Sequence, residues 1–120
     1  MNLYHDIILD HYRNPHNYGG IKKATHTGDA KNPTCGDSLH MDIFVTNDTI
    51  VDVGFTGAGC AISQASASLL TESIKGKTVS EALHLTPDDV LKLLGVTLSP
   101  NRLKCGLLSL ETLKQTLINK

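Results

Sequence analysis

From Ser38 to Val45 the chain reads SLHMDIFV, with Leu39, Met41, Ile43 and Val45 on one side and His40 and Asp42 on the other. Successive side chains of an extended chain point to opposite faces, so this alternation predicts a strand with one face buried. Asn47-Asp48 supplies turn chemistry, and Ile50 to Thr56 reads as a second strand with Val51, Val53 and Phe55 on one face. A shorter strand is expected near Ala24 to Asp29, giving an antiparallel meander. A sheet that is apolar on one face needs a covering layer. There is no tryptophan, and aromatic residues are 4% of the 120, so the two layers must meet through Leu, Ile and Val.

Helical patterns surround the meander. Tyr4 to Arg13 places Tyr4, Ile7, Ile8 and Tyr12 on one helical face, and Asn14-Pro15 ends it. After the second strand come Gly57-Ala58-Gly59-Cys60 and an alanine-rich run, AISQASASLLTESIK, stopped by Gly76. Thr78-Val79-Ser80-Glu81 has capping-box spacing and opens a short helix through Leu85. Thr86-Pro87-Asp88-Asp89 opens another that ends at Gly95, and Ser99-Pro100 opens a last helix running almost to Lys120. Strands first and helices afterwards predict an α+β fold, residues 1–120 as one domain, with a three-stranded antiparallel sheet and helices packed on one face.

Charge and composition narrow the function. The formal net charge is −1 and no long basic run occurs, which argues against a nucleic-acid-binding surface. No apolar stretch is long enough to span a bilayer, and the first twenty residues lack the pattern of a signal peptide. Three cysteines would leave one thiol over in any disulfide framework. Thiols or metal ligands in a reducing compartment fit better, and a cytoplasmic location is expected.

The placement of those thiols is informative. Cys35 lies in NPTCGDSL, a turn between the first two strands, where a cysteine is unusual because it ordinarily sits in a core. Cys60 follows the second long strand at the positive end of a helix, a position that favours a thiolate. The start of one antiparallel strand and the end of its partner meet, so Cys35 and Cys60 are expected together at the mouth of the hairpin. Asp37, two residues after Cys35 with Gly36 between, can converge on the same ion. Leu103, Leu107, Leu110 and Leu117 form one stripe on the last helix, and Cys105 projects away from it; periodicity does not show whether it reaches the mouth. Three thiolates and one carboxylate make four ligands, the number preferred by tetrahedral zinc and by iron in clusters. Three ordinary buried thiols remain the alternative on these grounds. His5, His11, His16, His26, His40 and His84 show no metal-ligand spacing and read as surface or loop residues. Gly57-Ala58-Gly59 is too short for a phosphate-binding fingerprint.

Four ordered segments, ILDHYRNPHNYG, NPTCGDSL, GFTGAGCAISQASASLL and RLKCGLLSLETL, resemble the IscU/NifU/SufU family of iron–sulfur cluster assembly proteins. The resemblance covers nearly the whole chain. It implies an α+β fold and a metal or cluster site whose ligands are Cys35, Asp37, Cys60 and Cys105. It also implies a cysteine desulfurase as partner, with iron–sulfur apoproteins or carriers downstream. IscU-type members carry histidine before the third cysteine and a Leu-Pro-Pro-Val-Lys chaperone-recognition segment. Here Lys104 replaces the histidine, as in SufU-type members, and Leu98-Ser99-Pro100-Asn101-Arg102-Leu103-Lys104 lacks the chaperone motif, which argues against a dedicated Hsp70-type partner. The usual SufU insertion is also absent, since only residues 61–104, 44 in all, separate Cys60 from Cys105. Lys104 has a plain alternative as a solvated helix residue.

Three functions follow as expectations. In the first, zinc is the resting metal and a residue of the desulfurase displaces one ligand, freeing Cys35 to accept sulfur as in a zinc-dependent sulfurtransferase. In the second, the protein is a non-enzymatic scaffold holding a transient [2Fe–2S] cluster, with Asp37 the labile ligand. The third is a small domain with a purely structural zinc.

Overall fold

In a computed structural model, which describes residues 3–32 and 36–118, the elements run α1 (Leu3–Arg13), β1 (His26–Asn32), β2 (Asp37–Thr46), β3 (Thr49–Ala58), α2 (Ala61–Ile74), α3 (Val79–Leu83), α4 (Pro87–Leu94) and α5 (Pro100–Ile118). The strands form one antiparallel sheet in the order β1-β2-β3. Helix α5 lies across β1 and β2, α2 packs on β3 and α5, and α1 packs on α2. This is the α+β arrangement expected.

The period of two in β2 survives intact: Leu39, Met41 and Ile43 are buried while His40 and Asp42 are half-exposed on the opposite face. Strand β3 departs from the expected alternation. Phe44 pairs with Asp52 and Val45 with Ile50, so Val51 is an extra residue without a partner. This β-bulge reverses the faces beyond it. Ile50 turns into the core at 0% exposure, and Val51, expected beside Val53 and Phe55, is 54% exposed.

Strand β1 begins and ends later than expected, at His26 and Asn32 rather than near Ala24 and Asp29. Its inward residues are Gly28, Ala30 and Asn32, which carry no apolar alternation. Small residues serve because α5 comes close. A Cβ on Gly28 would stand 2.7 Å from Thr116 Cα, nearer than packed atoms tolerate. The thin side of the sheet and the helix above it fit each other through missing atoms.

The main core joins Met41, Ile43, Ile50 and Val53 of the sheet to Leu70 and Ile74 of α2 and to Leu110, Leu113 and Leu117 of α5. It is aliphatic, as the composition requires. The buried face of α5 is wider than the leucine stripe suggests. It includes Cys105, Leu108, Ser109, Thr112 and Thr116, whereas Leu103 and Leu107 are only partly buried. Thr112 and Thr116 hydroxyls donate to carbonyls one turn back, at 2.7 Å each, so small polar residues are buried without loss. In α1, Ile8 is buried but Tyr12 is 45% exposed, because Tyr12 faces outward beside the following loop. The side chain of Tyr4 lies outside the described residues.

Helix starts and stops follow their sequence signals. Thr78 and Thr86 each form a complete capping box, with Glu81 and Asp89 respectively, and Gly95 closes α4 in the left-handed conformation at φ +71°. Helix α3 ends at Leu83 rather than Leu85, since the chain must be extended again at the Thr86 cap. No helix among the described residues is long and apolar enough to cross a membrane.

Candidate metal centre

Three segments far apart in sequence end at one place. Asp37 opens β2, Cys60 stands just before α2, and Cys105 lies in the second turn of α5. Ser38 pairs with Ala58, so the register brings the end of β3 beside the start of β2. Gly36 takes φ +76° and its N–H donates to the Asn32 carbonyl at 2.8 Å. That left-handed step, easy for glycine, turns the chain into β2.

Asp37 and Cys60 are in direct contact. One carboxylate oxygen, Oδ1, accepts the Cys60 backbone N–H at 3.1 Å. The other, Oδ2, is 3.3 Å from Cys60 Sγ. Cys60 is the N-cap of α2 in an extended conformation, and its side chain makes no capping bond. The thiol also reaches Ser63 Oγ at 3.9 Å, while Ser63 donates to the Cys60 carbonyl at 3.0 Å.

The approach depends on Gly59. At φ +150°, a Cβ there would lie 2.3 Å from Asp37 Oδ1, inside the carboxylate. The space that a side chain would fill is the space that the acid occupies. Helix α5 is brought in by a second close contact. Ser66 Oγ of α2 donates to the Gly106 carbonyl at 2.6 Å and shares a 2.7 Å bond with Ser109 Oγ. A Cβ on Gly106 would lie 2.7 Å from Leu98 Cδ1. The serine bonds tie α5 to α2, and Gly106 admits Leu98 beside them, so that Cys105 is held near Cys60.

The result is a group of one carboxylate and two sulfurs whose ligand atoms all lie within 4.8 Å of one another. Asp37 and Cys105 are buried and Cys60 is half-buried. Ligand atoms around a tetrahedral zinc, with Zn–S bonds of about 2.3 Å, stand roughly 3.8 Å apart. The donors are thus within a small adjustment of a common ion, and their softness suits zinc or iron. Cys35, the fourth expected member, lies outside the described residues. Cys105, whose reach periodicity left open, is at the site.

Lys104 is exposed and lines a groove of about 420 Å³ with Lys31, Asn32 and Leu107 at the same end of the molecule. The described histidines take other roles, and two are not plain surface or loop residues. His11 is on α1, and its Nδ1 shares a 2.7 Å bond with the buried Ser68 hydroxyl. Burial, then the neighbouring His16, holds its pKa below the usual 6.5. His40 sits between Asp29 at 2.9 Å and Asp42 at 2.8 Å, strapping β1 to β2. Burial lowers its pKa, but hydrogen bonds to those two carboxylates outweigh it and leave it raised. The side chain of His5 lies outside the described residues. Ser63 and Gln64 were missed from sequence. Only their spacing from Cys60 marks them.

Residues 3–119 match the NifU-like N-terminal domain family. The chain is 36% identical to the zinc-dependent sulfurtransferase SufU of Bacillus subtilis, covering 94% of this chain and 88% of that protein. It is 43% identical to the iron–sulfur cluster assembly scaffold protein IscU of Aquifex aeolicus, covering 92% and 71%. Among solved structures, one from Fervidobacterium islandicum AW-1, described as an iron–sulfur cluster assembly scaffold of the SUF system, superposes with a TM-score of 0.76 at 32% identity, covering 93% and 94% of the two chains.

Proposed function

Because this chain belongs to the NifU-like N-terminal domain family, we propose that it is an iron–sulfur cluster assembly protein that receives sulfur from a cysteine desulfurase at a site of Cys35, Asp37, Cys60 and Cys105. The observation that carries this reading is the convergence of Asp37, Cys60 and Cys105 from three distant segments. The two sulfurs, the carboxylate and the cradle at Gly59 fit zinc as the resting metal. Zinc bound there keeps coordinating sulfurs deprotonated at neutral pH.

The residues divide the work. Cys60 and Cys105, anchored by α2 and α5, hold the metal. Asp37 is the oxygen donor among sulfurs and the ligand that yields most readily. Cys35, next to the left-handed turn at Gly36, is the nucleophile. Its thiolate attacks the outer sulfur of the donor's persulfide. A new S–S bond forms on Cys35, the donor's S–S bond breaks, and the donor cysteine leaves as a thiolate. No net oxidation occurs. The persulfide then serves apoproteins or carriers downstream. A reducing compartment, the cytoplasm, keeps the thiols available, and the segment from Leu98 to Lys104 offers no recognition motif for a dedicated Hsp70-type chaperone.

The IscU relatives favour a second reading, in which the same four residues hold a nascent [2Fe–2S] cluster as cargo. A purely structural zinc is disfavoured by the position of the core. Met41, Ile43, Leu70 and Leu113 are fully buried without help from the site. Incubation of the protein with a desulfurase and cysteine, followed by mass spectrometry, is expected to show one added sulfur on Cys35. Unmodified Cys35 under every condition refutes the acceptor reading, and anaerobic reconstitution without cluster absorption refutes the scaffold.

A further inference from the structure

Beside the metal centre, on the outer edge of β3, lies a pocket of about 320 Å³ lined by Tyr12, Pro15, Tyr18, Gly57, Ala58, Gly59 and Gln64. Its floor is the segment that leads directly into Cys60. Gln64 is 7% exposed, and its Nε2 is buried without a hydrogen-bond partner among the described residues. An amide left so is costly, which makes its retention in a packed helix informative. Tyr12 and Tyr18 are 45% and 53% exposed at the rim, and Tyr18 is held by edge-to-face packing on Phe55 at 5.3 Å.

The chemistry of the lining selects the ligand. None of the described lining residues carries a charge, so a carboxylate or phosphate finds no counter-charge there. The pocket offers aromatic walls and an exposed strand edge, with the unpartnered Gln64 amide buried beneath its lining. Main-chain groups of Phe55 bond outward, to Asn17 and Gly19. By the alternation of a regular ladder those of Gly57 face the same way, and among the described residues the Gly57 carbonyl meets only a long 3.4 Å bond from the Tyr18 hydroxyl. An edge with a neutral donor beside it suits an extended peptide.

We propose that this pocket is a peptide subsite, in which the Gln64 amide turns out of its buried position so that Nε2 donates to a main-chain carbonyl of the extended segment that carries the donor's persulfide, while Tyr12 and Tyr18 wall that segment. The subsite lays the donor segment along Gly57–Gly59 and so brings its sulfur to the metal centre. It rests on the sulfur-acceptor reading above. Gln64 is a positioning residue and takes no part in the exchange itself.

The test titrates persulfide-loaded cysteine desulfurase against zinc-loaded wild type, Gln64→Met and Tyr12→Ser, counting sulfur on the acceptor by mass spectrometry. Gln64→Met is expected to raise the half-saturating donor concentration about tenfold with the maximal rate nearly unchanged, as loss of one buried hydrogen bond predicts. Its zinc content should equal wild type, and its melting temperature should be equal or higher, because an unsatisfied buried amide is gone. A merely structural role predicts the opposite, a lower melting temperature without a change in half-saturation. Tyr12→Ser, at an exposed position that does not support the core, should raise half-saturation about threefold. If wild type takes up sulfur and both variants saturate as it does, the subsite is wrong and the acceptor reading stands. If wild type takes up none, both fall.

Discussion

Helices α3 and α4 begin in one way and α2 in another. At the first two, a threonine hydroxyl accepts from the backbone three residues on, and an acid returns a bond to the threonine N–H. The unpaired N–H groups of a helix start are satisfied within four residues of sequence. At α2 the capping residue is Cys60, whose side chain gives the helix no bond. Its N–H is taken by Asp37, 23 residues away, and its sulfur faces the metal centre. Two starts are capped locally, and the third leaves its side chain to a group that could hold a metal. The contrast shows that a helix end can be released from capping when a distant carboxylate takes up part of the task.

The largest effect should come from making the third start like the other two. Cys60→Ser supplies a better cap and removes a sulfur ligand. Zinc affinity is expected to fall at least about 100-fold, one share of a four-ligand site. The metal-free protein should melt at the same temperature or higher. Competition against a zinc-binding dye and a thermal melt measure both, and a destabilised apo-protein with intact zinc affinity breaks the comparison.

A smaller effect runs the other way. Thr86→Ala or Thr78→Ala should cost about 1 kcal/mol in a denaturant titration and leave zinc affinity unchanged. Loss of metal in either variant shows that the two kinds of helix start are coupled.

The smallest effect separates them by pH. Bonding to the Thr78 backbone N–H lowers the pKa of Glu81 from 4.5, and the Thr86 backbone N–H lowers that of Asp89 from 3.8. A lowered carboxylate pKa stabilises the fold above the unfolded value, and that contribution drains away as pH falls through the folded one. The Glu81 box should therefore weaken below about pH 4.5 and the Asp89 box below about pH 3.8. Glu81→Gln keeps an acceptor that does not titrate. It is expected to flatten the acid limb of the stability curve slightly, measured on the metal-free protein; an unchanged acid limb removes the capping box from the explanation.

Much of this was legible beforehand because the signals are local. Capping boxes, the Pro87 start, the Gly95 stop and the alternation in β2 each depend on residues within a few positions of one another. The hairpin mouth was legible too, since an antiparallel hairpin returns to its origin; Asp37 meets Cys60 there, while Cys35, the thiol expected beside Cys60, lies outside the described residues. Val51 was misassigned because a bulge depends on the partner strand and leaves no mark on the alternation of its own. Strand β1 was shifted because its inward residues are small to admit α5, and absence of bulk carries no periodic signal.

By itself the amino-acid order determined the elements, the layer arrangement and the hairpin mouth, since propensity, capping and pleat act over short spans of chain. Only the tertiary structure decided that Cys105 belongs to the same site. That follows from the contact of α5 with α2, where the Ser66 hydroxyl bonds the Gly106 carbonyl and Ser109 Oγ, and from the room that Gly106 leaves for Leu98 against α5. Distance between helices is a property of packed surfaces, and no single stretch of sequence contains it.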